Sequence, residues 1–176
     1  IIMKIIIAAV LAAVFLSISA IHAEEKDMQK LDVNLGFEQV PDENTCEGKN
    51  ISPMIEIRGL NATSIAVIVV DPDAPSGLFT HWIIWNAKPL EIIPEGIPGS
   101  STVTDPISAV QGKNSFGKIG YLGPCPPPGT LHRYLFSVYG LDKMLDLQPG
   151  ASRQDLEKAM EGHILQKGEA MATYGR

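Results

Sequence analysis

Two carboxylates, two imidazoles and a phenol lie beside strand-like runs in this chain, and these are the residue types best suited to chemistry. Asp71 and Asp73 stand in Asp71-Pro72-Asp73-Ala74-Pro75, and His81 precedes the apolar run Trp82-Ile83-Ile84-Trp85. His132 and Tyr134 open a second run, just after Gly123-Pro124-Cys125-Pro126-Pro127-Pro128-Gly129. Three chemistries could use such a set. Carboxylates and imidazoles ligate divalent metals, although the spacing here matches no metal motif. A histidine oriented by an aspartate is a general base, although no serine or cysteine sits in a nucleophile motif such as G-x-S-x-G. Imidazole and phenol donors, with backbone N–H groups of the Gly123 to Cys125 turn, would also cradle an anion such as phosphate.

Each residue taken singly has a plainer role. Asp-Pro starts loops, and a histidine at a strand end often satisfies one backbone partner. The combination favours binding, because polar groups at strand ends beside a stiff proline wall hold a pocket open at low entropic cost.

The elements that must position these groups are mostly strands. Ser64-Ile65-Ala66-Val67-Ile68-Val69-Val70 is β-branched and apolar, and it delivers Asp71 at its exit. Strands are also expected at Leu31 to Phe37, at Ile51 to Ile57 with Pro53 at its start, at Ile92-Ile93, and at His132 to Tyr139. A period of two puts His132, Tyr134 and Phe136 on one face of the last of these. Asn86 to Thr104 reads chiefly as surface loop, and Asp105 to Gly120 as irregular chain with a tight turn at Asn114-Ser115-Phe116-Gly117. Ser152 and Asp155 form a capping-box pattern ahead of one amphipathic helix of about three turns, with Leu156, Ala159, Met160 and His163 on its apolar face. Gly162 is expected to end it, and Ile164 to Tyr174 is a candidate strand. The pattern predicts a single mainly β domain.

Residues 1–23 combine a basic start, an apolar middle and small residues before Glu24, the pattern of a secretory signal peptide. Residues 24–30 are expected to form a flexible polar start, and 31–176 the folded domain. Export places the chain in a periplasmic or extracellular compartment, where Cys46 and Cys125 are expected to form a disulfide. The formal net charge is −6 with no basic run, which argues against a nucleic-acid partner. Asn50-Ile51-Ser52 and Asn61-Ala62-Thr63 match the glycosylation sequon, a short pattern read here as two loop asparagines.

The motifs Asp71-Pro72-Asp73-Ala74-Pro75, His81-Trp82, Gly123-Pro124-Cys125-Pro126-Pro127 and His132-Arg133-Tyr134, in that order, closely resemble the phosphatidylethanolamine-binding protein family. Cys46-Glu47-Gly48-Lys49-Asn50-Ile51-Ser52-Pro53 and Gly162-His163-Ile164-Leu165 are similar to its prokaryotic Raf-kinase-inhibitor-like branch. The resemblance implies an antiparallel β-sheet domain with few short helices and a surface pocket for a phosphate-like or carboxylate anion. It assigns Asp71, His81, His132 and Tyr134 to the polar groups of that pocket, with Asp73 as loop support in the same motif. Backbone N–H groups of Gly123 and Cys125 would face the anion, Pro126 would form the wall, and Ala74–Pro75 would be cis.

The leading expectation is therefore non-enzymatic binding of an anionic group, with no cofactor and no metal. Asp71 would orient a histidine and raise its pKa, favouring the charged form at neutral pH. An inhibitor of an extracytoplasmic hydrolase, acting on a protein partner, is the second reading, and a metal-dependent hydrolase the third. Membrane contact is expected only through an uncleaved leader or a lipid head group.

Overall fold

A strand that is apolar on both faces needs cover on both sides, and this requirement organises the chain. The structure is a computed structural model that describes residues 28–176. The expected leader and residues 24–27 lie outside the described residues. In chain order the first strands are β1 Gln29–Lys30, β2 Asp32–Asn34, β3 Ile55–Arg58, β4 Ser64–Asp71 and β5 Phe79–Ala87. After them come β6 Ile92–Ile93, β7 Thr102–Val103, β8 Ala109–Gln111, β9 Leu131–Leu141, helix α1 Arg153–Met160 and β10 Ile164–Gly175. No helix among the described residues is long and apolar enough to cross a membrane.

The strands form a seven-stranded sheet in the order β1-β10-β9-β4-β5-β8-β7 and a three-stranded sheet in the order β2-β3-β6. Every pairing between strands is antiparallel except β1 with β10. Strand β4 lies near the centre of the large sheet and is buried along its whole length. Its alternate residues serve two cores. Ile65, Val67 and Val69 pack with Ile55, Ile57, Trp82 and Phe136 against the small sheet. Ala66, Ile68 and Val70 pack on the opposite face with Ile83, Trp85, Leu156 and Met160, beneath α1.

The mainly β, antiparallel architecture is the one expected, but several local expectations are corrected. Of the strand predicted over Leu31 to Phe37 only β2, Asp32–Asn34, is formed, and at Leu31 the chain passes from the large sheet (β1) to the small one (β2). Leu31 donates its N–H to the Lys167 carbonyl at 2.9 Å and is almost fully buried. Gln29 and Lys30 are therefore paired with Gln166 and Lys167, not a flexible start. The strand predicted from Ile51 begins only at Ile55, because Ser52 is committed to the Gly96 and Ile97 amides through its carbonyl and hydroxyl oxygens. Strands β7 and β8 fall in segments read as loop or irregular chain.

The turn at Asn114 closes with the Gly117 N–H on the Asn114 carbonyl, and the Asn114 side chain takes the Phe116 amide. Helix α1 carries the expected capping box, with the Asp155 N–H on Ser152 Oγ and the Ser152 N–H on the Asp155 carboxylate. It is shorter than expected, at 8 residues. The chain leaves it through Gly162 at φ +76°, so His163 lies beyond the helix and pairs with Asp142 instead. The segment from Ile164 is a full strand of 12 residues, paired along β9. The cis peptide bond is at Asp105–Pro106, and Ala74–Pro75 is trans.

Candidate functional site

Strand β4 ends at Asp71 opposite Phe79, the first residue of β5, and β9 lies on the other side of β4. This adjacency brings Asp71, His81 and His132 to one end of the large sheet. A pocket of about 370 Å³ opens there, lined by Asp71, His81, Gly123, Cys125, Pro126 and His132 among others. Asp71, His81 and His132 are each no more than 5 % exposed. Buried polar groups of this kind need partners, and most of theirs are visible.

The His132 Nδ1–H donates to Asp71 Oδ2 at 2.8 Å. The other Asp71 oxygen accepts the Asp73 N–H at 2.7 Å, which folds the start of the β4–β5 loop. His81 Nδ1–H donates to the Leu122 carbonyl at 2.6 Å, tying β5 to the segment before the proline wall. Each ring thus spends Nδ1 on the protein, and neither Nε2 has a partner among the described residues. Burial pushes the His81 pKa below its ordinary 6.5, outweighing the Leu122 carbonyl and the Asp71 charge, both of which raise it. The histidine that Asp71 orients is His132, and at His81 desolvation outweighs the Asp71 charge.

Asp73 is not part of the pocket lining. Its carboxylate accepts from Arg133 Nε at 2.9 Å and Nη2 at 2.6 Å, and also from the Arg133 backbone N–H at 2.9 Å. These bonds hold its pKa far below the usual carboxylate range. Tyr134 also stands behind the lining, with its ring edge-on to His81 at 5.2 Å between centroids. Its hydroxyl is buried and unpartnered. Burial, then the Asp71 and Asp73 charges, raise its pKa, so it stays a neutral donor.

The proline segment departs from expectation at Gly123, whose N–H is taken by Asn50 Oδ1 at 2.6 Å and is not free for an anion. Glycine is needed there because a Cβ would sit 2.5 Å from the Asn44 carbonyl oxygen. The Cys125 N–H has no acceptor among the described residues, and Pro126 presents its ring while its carbonyl accepts from Arg176 Nε. Cys46 and Cys125 are disulfide-bonded, with Cα atoms 5.4 Å apart, and both line the pocket.

Sequence reasoning missed the apolar mouth. Phe79 stacks edge-on with Phe116 at 5.0 Å, and Phe116 is 70 % exposed at the tip of the Asn114 turn. An aromatic in the middle of a tight turn was the available signal. Among the described residues no group of three or more His, Cys, Asp or Glu side chains is arranged to hold a metal ion.

Comparison with known proteins bears on the family and the fold. The family model described as phosphatidylethanolamine-binding protein matches residues 32–175. A UPF0098 protein of Pyrococcus horikoshii is 52 % identical over 182 residues, covering 99 % of this chain and 91 % of its own. A phosphatidylethanolamine-binding protein homologue of Chlamydia trachomatis superposes with TM-score 0.73 at 37 % identity, covering 84 % of this chain and 97 % of its own. Escherichia coli YbcL, described as a member of the mammalian PEBP family, superposes with TM-score 0.73 at 28 % identity, covering 83 % of this chain and 98 % of its own. The chain belongs to the phosphatidylethanolamine-binding protein family.

Proposed function

We propose that the protein works by binding a small anionic group, phosphate-like or carboxylate, in this pocket, without catalysing a reaction on it. The observation that carries the reading is that both imidazoles are oriented through Nδ1, leaving two Nε2 positions and the Cys125 N–H uncommitted at one site. A protonated Nε2 donates a charge-assisted hydrogen bond to a ligand oxygen. The unpartnered Tyr134 hydroxyl behind His81 adds a donor that lacks an acceptor, an uncommon state for a buried group. With Asp71 and Asp73 both engaged by protein donors, neither aspartate is free to act as a base on a bound ligand.

The Nδ1–H of His81 is fixed on the Leu122 carbonyl, so donation from its Nε2 requires the imidazolium. Anion binding at His81 is therefore coupled to proton uptake. The apolar mouth of Phe79 and Phe116 suits an anion carried on an apolar or aromatic group. The disulfide supports the expectation of an oxidising, exported setting.

Calorimetric titration with phosphate and phosphorylethanolamine, on the wild type and on His132→Ala, tests the reading. Saturable binding that the substitution abolishes supports it. No binding of either ligand by the wild type overturns it.

A further inference from the structure

We propose that the pocket is also a thiol–disulfide exchange site, selective for small thiols that carry an anionic group. The inference rests on the anion-binding reading and names a ligand class for the same site. Its starting point is a juxtaposition: both cysteines of the Cys46–Cys125 bond line the pocket that holds His81 and His132. Cys46 and Cys125 are both exposed residues and both line the pocket, so the disulfide borders the space that a bound thiol would occupy.

The bond is also not the sole tie between its two loops. The Cys46 N–H donates to the Pro124 carbonyl at 3.1 Å, and the Gly123 N–H donates to Asn50 Oδ1 at 2.6 Å. The Tyr121 hydroxyl donates to the Asn44 carbonyl at 2.8 Å. Arg176 spans the same gap, with Nε on the Pro126 carbonyl and Nη1 on the Glu47 carboxylate, each at 2.8 Å. The first three link residues 44–50 directly with the segment 121–126, and Arg176 bridges the two. Opened cysteines therefore stay within reach of each other, and the pair is free to open and reclose while the pocket stands.

The chemistry balances with the groups present. The anionic end of the thiol is held by His132 and the free Cys125 N–H. His81, which burial keeps neutral more readily than an exposed histidine, accepts the S–H proton at Nε2. The thiolate sulfur attacks one sulfur of the disulfide, the S–S bond breaks, and the other sulfur leaves as thiolate and takes the proton back from His81. A second thiol molecule attacks the mixed disulfide and releases the remaining cysteine. Two external thiols are oxidised to one external disulfide, and the protein disulfide is reduced to two thiols.

The test compares reduction of the oxidised full chain by 2-mercaptoethanesulfonate and by 2-mercaptoethanol, each rate corrected for thiol ionisation. Free cysteines are trapped by alkylation and counted by mass spectrometry. The sulfonate thiol is expected to react about tenfold faster, the worth of one charge-assisted hydrogen bond. Inorganic phosphate should erase the difference, and so should His132→Ala. If that variant does not fold, phosphate competition on the wild type carries the same test.

Equal corrected rates overturn the inference, and so does a preference that phosphate leaves intact. A parallel phosphate titration separates the two readings. Phosphate binding with equal rates leaves an anion site beside an inert staple, whereas no phosphate binding with equal rates removes both.

Discussion

Asp71 and His132 meet across the adjacent strands β4 and β9, with the His132 Nδ1–H on Asp71 Oδ2 at 2.8 Å. Their side chains are only 5 % and 7 % exposed, so each leans on the other for a hydrogen-bond partner. Asp71 meanwhile holds the Asp73 amide, and Asp73 holds Arg133, the residue after His132. One carboxylate thus sets both a ring orientation and a loop.

Asp71→Ala should leave the His132 Nδ1–H and the Asp73 N–H without an acceptor. Breaking a buried polar pair costs about 3 kcal/mol. Urea unfolding is expected to show that loss, and phosphate titration a large fall in affinity. Asp71→Asn, which keeps an oxygen at the site, should lose less of both. Equal losses in the two variants would show that the oxygen at this position does not orient His132.

The pH dependence at His81 has a definite sign. Its folded pKa lies below 6.5, so the unfolded chain binds the proton more readily than the native one. The stability linked to this residue is present above 6.5 and is lost as pH falls through the lowered folded value. Thermal midpoints of wild type and His81→Gln should therefore diverge above 6.5 and converge in acid. Saturating phosphate should blunt the acid loss in the wild type, because the bound anion favours the imidazolium. Calorimetry in buffers of different ionisation enthalpy should detect proton uptake on binding.

Gly123→Ala tests the packing behind the pocket wall. The added Cβ would meet the Asn44 carbonyl oxygen at 2.5 Å and the Thr45 Cα at 2.8 Å, backbone atoms that movement of the Asn50 side chain, also 2.8 Å away, does not clear. Overpacking of this kind costs about 1–3 kcal/mol. A lowered melting temperature together with weakened phosphate binding is expected, since the loop that carries Cys125 and Pro126 must shift.

Leu156→Ala is the counterpart on the far face. Leu156 is fully buried on the core face of α1, and truncation there costs about 2–5 kcal/mol. Because this core lies across β4 from the small sheet and away from the pocket lining, phosphate affinity should be unchanged in the folded fraction. A matching loss of affinity would mean that the α1 core and the pocket are coupled.

Much of this architecture was legible because the relevant physics is local. The β-branched run before Asp71 is a strand by composition, and the Ser152–Asp155 box needs only three residues of spacing. Alternation along β9 put His132, Tyr134 and Phe136 on one face, and all three are buried. The short strands β7 and β8 were not legible, since two or three residues carry no period and extend only because β5 offers β8 an edge and β8 offers one to β7. The split at Leu31 was hidden for the same reason. It depends on two sheets that exist only after folding.

By itself the sequence determined the residue types of the site, the turns that carry them and the family to which the chain belongs. Only the tertiary structure decided which groups are free. It gave the Gly123 amide to Asn50, turned Asp73 outward to Arg133, buried Tyr134 behind His81 and lined the mouth with Phe79 and Phe116. It also gave Asp71 to His132 and left His81 to burial, which lowers its pKa. Hydrogen-bond partners and desolvation depend on atoms brought together from distant positions in the chain, and no local pattern records them.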